Sequence, residues 1–419
     1  MYKFKEELVF FDSVDEKQLF YAPTLGICML CTHELSEKMQ KHLRGEIDFP
    51  EFGEMLEAAW NSRVEVYDLG TVKSKFFHIA LGLTENCTLA CKYCHADAGK
   101  PTMMSKELIT EAANYAKSKV VGEGLKGINL SFAVGGEPTF HLELLKNAIE
   151  AFKSAAADAK TTLKTSMTTN GYYGAELAEY IADTIDNVLI SIDGTKDIQD
   201  THRPARGGGG SYEKVLRSMD IVYDRKGELN VRSTVSALSV GKMNDFIDFL
   251  AQRYKGNVTW VVEPLVPLGR GASCGKYGIE PPDNMEFADN YWKAYLYGKS
   301  KGISVKTSAL NVGRLVTGFC GAMYIPSFTL TTAGKITTCE RDSTGSNYGY
   351  GYFDEISKKF IIDEAKVQRN KDLVQMPDKC LSCICRYHCA GDCPDVRTIH
   401  YNRCETNRYL LKKYLMSII

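Results

Sequence analysis

Cys87, Cys91 and Cys94 stand on one short stretch, three and two residues apart. Thiolates at that spacing can each hold one iron of a four-iron cube, which leaves the fourth iron without a protein ligand. An iron with an open position can bind a small molecule and pass it an electron. Zinc ordinarily pairs two Cys-x2-Cys knuckles, which this triplet does not provide. Eight further cysteines follow late in the chain: Cys385, and a series at Cys320, Cys339, Cys380, Cys383, Cys389, Cys393 and Cys404. Polar groups of a second kind lie between the two sets. Gly135-Gly136-Glu137-Pro138 combines glycines, which let backbone approach a ligand, with a carboxylate that can take an ammonium group. Asn170 and Asp193 precede glycines, where turn formation is an alternative use for them. Arg203 and Arg232 offer guanidinium forks for a carboxylate.

These residues need a frame, and the pattern around them supplies one. Apolar, β-branched runs at 77–84, 128–134, 163–169, 188–192, 231–235 and 258–262 alternate with amphipathic stretches at 106–121, 142–160, 174–185, 212–225 and 244–254. Strands alternating with helices imply a parallel sheet in an α/β fold. Six such units predict a partial (β/α)6 TIM barrel, whose chemistry sits at the C-terminal strand ends. The cysteine triplet follows the first strand, Gly135–Glu137 the second, Asn170 the third, Ser191 and Asp193 the fourth. Before residue 72 the pattern changes to two short strands, 8–11 and 18–21, and two helices, 35–43 and 50–60. Cys28 and Cys31 lie in an apolar strand or turn and read as buried structural thiols. Gly207–Gly210 reads as a flexible loop or as the hinge of a lid.

The 419 residues carry a formal net charge of −1, so no electrostatic case exists for nucleic-acid binding. No apolar run approaches the ~20 residues of a membrane span, and Met1–Glu7 lacks the apolar core of a signal peptide. The fourteen cysteines are therefore expected in a reducing cytoplasm, where metal ligation explains them better than disulfides.

The triplet, its strand and the strand-end motifs resemble the radical SAM superfamily. The resemblance implies a 4Fe–4S cluster on Cys87, Cys91 and Cys94 that binds S-adenosylmethionine (SAM) and cleaves it reductively. It assigns Gly135, Gly136 and Glu137 to the SAM amino group, and Asn170, Ser191 and Asp193 to its ribose or methionine part. It points to Arg203, or else Arg232, for the carboxylate. Tyr93 would border the adenine, with core packing as its other use. The late cysteines resemble a SPASM domain with two auxiliary 4Fe–4S clusters, the first on Cys320, Cys339 and Cys393, the second on Cys380, Cys383, Cys389 and Cys404. Three clusters are thus expected in all. The first auxiliary cluster is one ligand short, and Cys274 or Cys385 is a candidate to fill the place. Anaerobic sulfatase-maturating enzymes carry a cysteine where Arg314 stands, and an aspartate base where this chain has Glu340, which becomes the candidate catalytic acid–base.

The expected organisation is a segment at 1–72 resembling the winged-helix-like recognition element of peptide maturases, a radical SAM core at 73–270, a helical linker at 271–310 and a SPASM domain at 311–419. Many peptide-modifying members capture a leader peptide by adding it to a sheet edge. The reading that follows is a maturase of a ribosomally made precursor peptide. It would form a cysteine thioether, as in sactipeptides and ranthipeptides, with flavodoxin or ferredoxin as reductant. Oxidation of Cys or Ser to formylglycine, a C–C or C–O crosslink, and a non-catalytic electron carrier are the alternatives.

Overall fold

The computed structural model describes residues 9–14, 16–71, 73–325, 327–399 and 402–419. Leu8, in the first expected strand, and Met1–Glu7, read for a signal sequence, lie outside the described residues. An antiparallel meander opens the chain: β1 (Phe10–Val14), β2 (Lys17–Ala22) and β3 (Ile27–Cys31), in that spatial order. Two helices follow, α1 (His33–Arg44) and α2 (Pro50–Asn61). Thr32 caps α1 by accepting from Leu35 N at 3.1 Å, a contact worth about 1 kcal/mol. Cys28 and Cys31 fall on β3, the apolar strand expected there.

The main sheet begins after β4 (Val66–Tyr67). Its strands are β5 (Phe76–Leu81), β6 (Gly127–Phe132), β7 (Thr162–Thr169), β8 (Asn187–Ser191), β9 (Leu229–Val235) and β10 (Val258–Pro264). They are neighbours in sequence order and every pairing is parallel. The connecting helices are α3 (Lys106–Glu123), α4 (Leu142–Asp158), α5 (Ala175–Thr184), α6 (Lys196–His202), α7 (Tyr212–Lys226) and α8 (Met243–Arg253). The six strands read from the sequence are all present. The sheet is larger than six, however, because α9 (Asn284–Ser300), in the stretch expected as a linker, leads into β11 (Ile303–Lys306), which pairs parallel to β10.

The other edge also grows. β12 (Leu315–Val316) pairs with β4, and α10 (Gly321–Tyr324) precedes β13 (Phe328–Leu330), which pairs parallel to β5. β14 (Lys335–Thr337), β15 (Gly349–Asp354) and β16 (Lys359–Ile362) continue outward antiparallel, so eleven strands form one mixed, open sheet. The chain ends with α11 (Glu364–Leu373), α12 (Pro394–Thr398) and α13 (Cys404–Ile418). None of the described helices is long and apolar enough to cross a membrane.

Strand alternation decides which side chains face the chemistry. Leu229, Val231 and Val235 of β9 join the core under the helices, which leaves Asn230, Arg232 and Thr234 on the opposite face. On that face Asn230 lines a cavity with Ser131, Ser166, Thr168 and Asn187. The core itself is fixed by large, fully buried groups such as Phe132, Phe152 and Trp260. Truncating one of these to alanine costs about 3–5 kcal/mol.

Candidate iron–sulfur and cofactor site

The cysteine loop springs from the end of β5. Gly136 N donates to Thr84 O and Glu137 N to Asn86 O, both at 2.8 Å, so the glycine motif laces β6 to the segment that enters Cys87. A Cβ on Gly136 would stand 2.0 Å from Asn86 O, which leaves room only for glycine. Gly135 has φ +80°, a conformation that also favours glycine. The loop beyond lacks regular structure, and its carbonyls are satisfied by two distant arginines. Arg206 donates to Cys87 O (2.9 Å), Leu89 O (3.2 Å) and Ala98 O (2.9 Å). Arg270 donates to Cys91 O (2.9 Å) and Ala98 O (2.8 Å). Neither arginine stood out in the sequence, although Arg206 opens the glycine tract. That tract is a turn in which Ala205 N donates to Gly209 O at 3.1 Å, and it sets Arg206 against the cysteine loop rather than serving as a bare spacer.

The thiols fit a cluster by their donors. Asn170 Nδ2 lies 3.5 Å from Cys87 Sγ, and Ala98 N lies 3.5 Å from Cys94 Sγ. Burial pushes the Cys87 thiol up to about 11, with Glu137 adding to the rise. It pushes Cys91 up to about 12, against the charge of Arg203. Iron ligation removes such protons outright. No three His, Cys, Asp or Glu among the described residues converge as they would on a single metal ion; a cube, which gives each thiolate its own iron, does not ask that of them.

Glu137 is buried and fully engaged. Its Oε1 accepts from Thr139 Oγ1 and Thr169 Oγ1, both at 2.8 Å, and its Oε2 accepts from Asn170 N at 2.7 Å. Burial raises its carboxyl above the usual range, while these hydrogen bonds oppose the rise. Asn170 does two things at once: Oδ1 accepts from Tyr172 N at 2.8 Å to form the turn, and Nδ2 donates to Thr88 Oγ1 at 3.0 Å on the cysteine loop.

Asp193 gathers Tyr93, His202 and Arg203. Its Oδ2 accepts from Tyr93 Oη, lies 3.1 Å from His202 Nδ1, and forms an ion pair with Arg203 Nε at 3.0 Å. That Arg203 N–H does not point at the carboxylate and finds no hydrogen-bond acceptor. Asp193 Oδ1 accepts from Thr234 N at 2.9 Å. Burial alone would raise the Asp193 carboxyl, but the Arg203 charge and His202 outweigh it and hold it well below the usual range. Arg203 also lies over the Tyr93 ring at 5.4 Å. Two expected SAM ligands, Asp193 and Arg203, are therefore each other's partners. Ser191 pairs in register with Arg232 at the β8–β9 ends.

His95 and Glu340 are exposed, with many protein atoms around them. Burial, then the charges of Arg341, Arg232 and Arg203, push His95 down to about 4. Burial raises Glu340, and Arg232 opposes this. Arg232 thus lies within electrostatic reach of both Glu340 and His95, and Arg341 within reach of His95; the last two residues were not foreseen.

The late cysteines form two groups. Cys320 and Cys339 pack with Met323, Tyr348 and Val374, and Cys393 lies within electrostatic reach of both. Cys380, Cys383, Cys389 and Cys404 line one cavity with Cys385, Asn407 and Arg408. The expectation that Cys274 or Cys385 completes the first group does not hold. Cys274 packs with Tyr93, Leu265 and Ile279. Cys385 packs with Leu19, Tyr21 and Leu411, and its hydrogen bond to Cys383 is the main cause that brings the Cys383 thiol down to about 5. Arg314, at the departure from the maturase pattern, rests over the Tyr67 ring at 5.3 Å.

Comparison with known proteins agrees with this geometry. The family model described as the radical SAM superfamily matches residues 81–246. The chain carries a radical SAM domain. An AdoMet-dependent heme synthase of Methanosarcina barkeri (strain Fusaro / DSM 804) is 26% identical over 345 residues, covering 75% of this chain and 90% of the relative. A cysteine-type anaerobic sulfatase-maturating enzyme of Clostridium novyi (strain NT) is 22% identical over 335 residues, covering 73% and 85%. Among solved structures, anSMEcpe with bound AdoMet and the Cp18Cys peptide superposes with a TM-score of 0.61 at 17% identity, covering 82% of this chain and 98% of that one. Streptococcus suis SuiB bound to the precursor peptide SuiA gives a TM-score of 0.53 at 13% identity, covering 95% and 96%. At such identities the structural likeness concerns the fold.

Proposed function

We propose that the chain is a radical SAM peptide maturase that removes a hydrogen atom from a precursor peptide and joins the resulting carbon to a cysteine sulfur. One observation carries this reading. Cys320, Cys339 and Cys393 come together without a fourth thiol of the chain, because Cys274 and Cys385 are engaged elsewhere. A place is left for a thiolate of the substrate. When bound, the clusters supply the electron that cleaves SAM to the 5′-deoxyadenosyl radical and accept the electron released on thioether closure.

The chain's residues do the rest. Cys87, Cys91 and Cys94 hold the SAM cluster on a loop that Arg206 and Arg270 fix. Glu137, held at Oε1 by Thr139 and Thr169 and at Oε2 by Asn170 N, locks the β6 and β7 ends and offers negative charge to the SAM ammonium; the Gly135–Gly136 backbone forms the floor. Asp193 keeps Tyr93 and Arg203 in place beside it. Glu340, whose carboxyl burial raises and the charge of Arg232 lowers, accepts the thiol proton of the peptide in its ionised form. The meander β1–β3 captures the leader peptide, and flavodoxin or ferredoxin supplies electrons.

A second reading, oxidation of Cys or Ser to formylglycine, is favoured by the similarity to the Clostridium novyi enzyme. One experiment separates the two. Anaerobically reconstituted protein is given SAM, reductant and a cysteine-rich precursor or a sulfatase-motif peptide, and peptide mass is read with 5′-deoxyadenosine. A precursor lighter by two hydrogens, with the cysteine no longer alkylatable, is expected. Conversion of the sulfatase-motif peptide alone would establish the second reading, and loss of neither would remove both.

A further inference from the structure

Helix α13 brings more than one ligand to the second cysteine group. One turn beyond Cys404, the buried Asn407 points Nδ2 at Cys389 Sγ, 3.1 Å away. Its Oδ1 has no partner. Leaving a buried carbonyl oxygen unpaired is costly, so the amide serves the sulfur at the expense of its own oxygen. Arg408, the next residue, lines the same cavity, with its charge within electrostatic reach of Cys383. Just ahead of the helix the buried Arg403 is paired with Asp392 (Nε–Oδ2 3.0 Å), and both charges lie within reach of Cys389.

N–H donors and cations on thiolate sulfur favour the reduced, more negative state of a cluster and raise its reduction potential. We propose that Asn407 and Arg408 are positioning residues that raise the potential of a cluster on Cys380, Cys383, Cys389 and Cys404 above the value it would have without them. The inference rests on the auxiliary-cluster reading above.

The test is an anaerobic redox titration followed by electron paramagnetic resonance on iron-replete wild type, Asn407→Leu and Arg408→Gln. The signal that disappears in Cys380→Ala identifies the cluster. At the wild-type midpoint its reduced-to-oxidised ratio is expected to drop about tenfold in Asn407→Leu, equivalent to about 59 mV for one electron, and in the same direction in Arg408→Gln. The other midpoints stay. Arg408 is exposed, so its variant decides if Asn407→Leu loses iron. Unmoved midpoints at full iron content overturn the proposal. A wild type holding about four irons instead of about twelve would overturn the auxiliary-cluster reading itself and remove the proposal with it.

Discussion

Replacing Asp193 with asparagine keeps the side chain's shape and removes the charge that Arg203 faces. Asp193 is fully buried and Arg203 nearly so, with side-chain exposures of 0% and 11%. Removing one partner of a buried pair costs about 3–5 kcal/mol, because the other charge is left without compensation. Guanidinium unfolding of anaerobic protein with matched iron content measures it. Arg203→Leu alone should lose a comparable amount, and the double variant Asp193→Asn/Arg203→Leu clearly less than the sum, by at least about 1 kcal/mol of coupling. The pH dependence has a definite sign. The folded carboxyl is depressed below its unfolded value of about 3.9, so its contribution is complete above that value and is lost as pH falls through the folded one. The gap between wild type and Asp193→Asn should therefore be flat from about pH 8 to pH 5 and shrink only below about pH 4. Strict additivity of the two single losses, or a gap that already closes between pH 8 and 5, would refute the reasoning.

Gly136→Ala places a methyl group 2.0 Å from Asn86 O; a loss of about 1–3 kcal/mol or more, read as a lower unfolding midpoint with less iron bound, is expected. Arg206→Ala removes the donors to Cys87 O, Leu89 O and Ala98 O, and iron retained after desalting should fall sharply, with Arg206→Lys only partly restoring it because a lysine has no fork. Tyr21→Phe deletes the 2.5 Å hydrogen bond between Tyr21 Oη and His388 Nε2 and should cost about 1–2 kcal/mol, seen as faster amide exchange in β2 with that of β7 unchanged.

Much of this was legible because the physics is local. Ile128–Phe132 and Val188–Ile192 are apolar runs flanked by helical periods, and cysteine spacing survives any detail of folding. β13 to β16 were not legible: they are short and mix Thr, Gly and Tyr with few apolar runs, and they become strands because β5 offers an edge to pair with. Arg206 and Arg270 escaped for another reason. Their role is to satisfy carbonyls 119 and 179 residues away in sequence, and nothing near them in the chain records that need. Asp193 and Arg203 were both singled out, but as two ligands of one cofactor. That they neutralise each other follows only from the way α6 returns His202 and Arg203 to the end of β8.

The strand that feeds Cys87 and the strand that feeds Cys339 belong to one hydrogen-bonded ladder, with β13 alone between them. Two strand spacings set their axes about 10 Å apart. The separation of the two cysteine-bearing loops is thus written into backbone pairing and not into a joint that opens and closes. Electron exchange between them needs no encounter and no domain closure, so its rate should be indifferent to solvent viscosity.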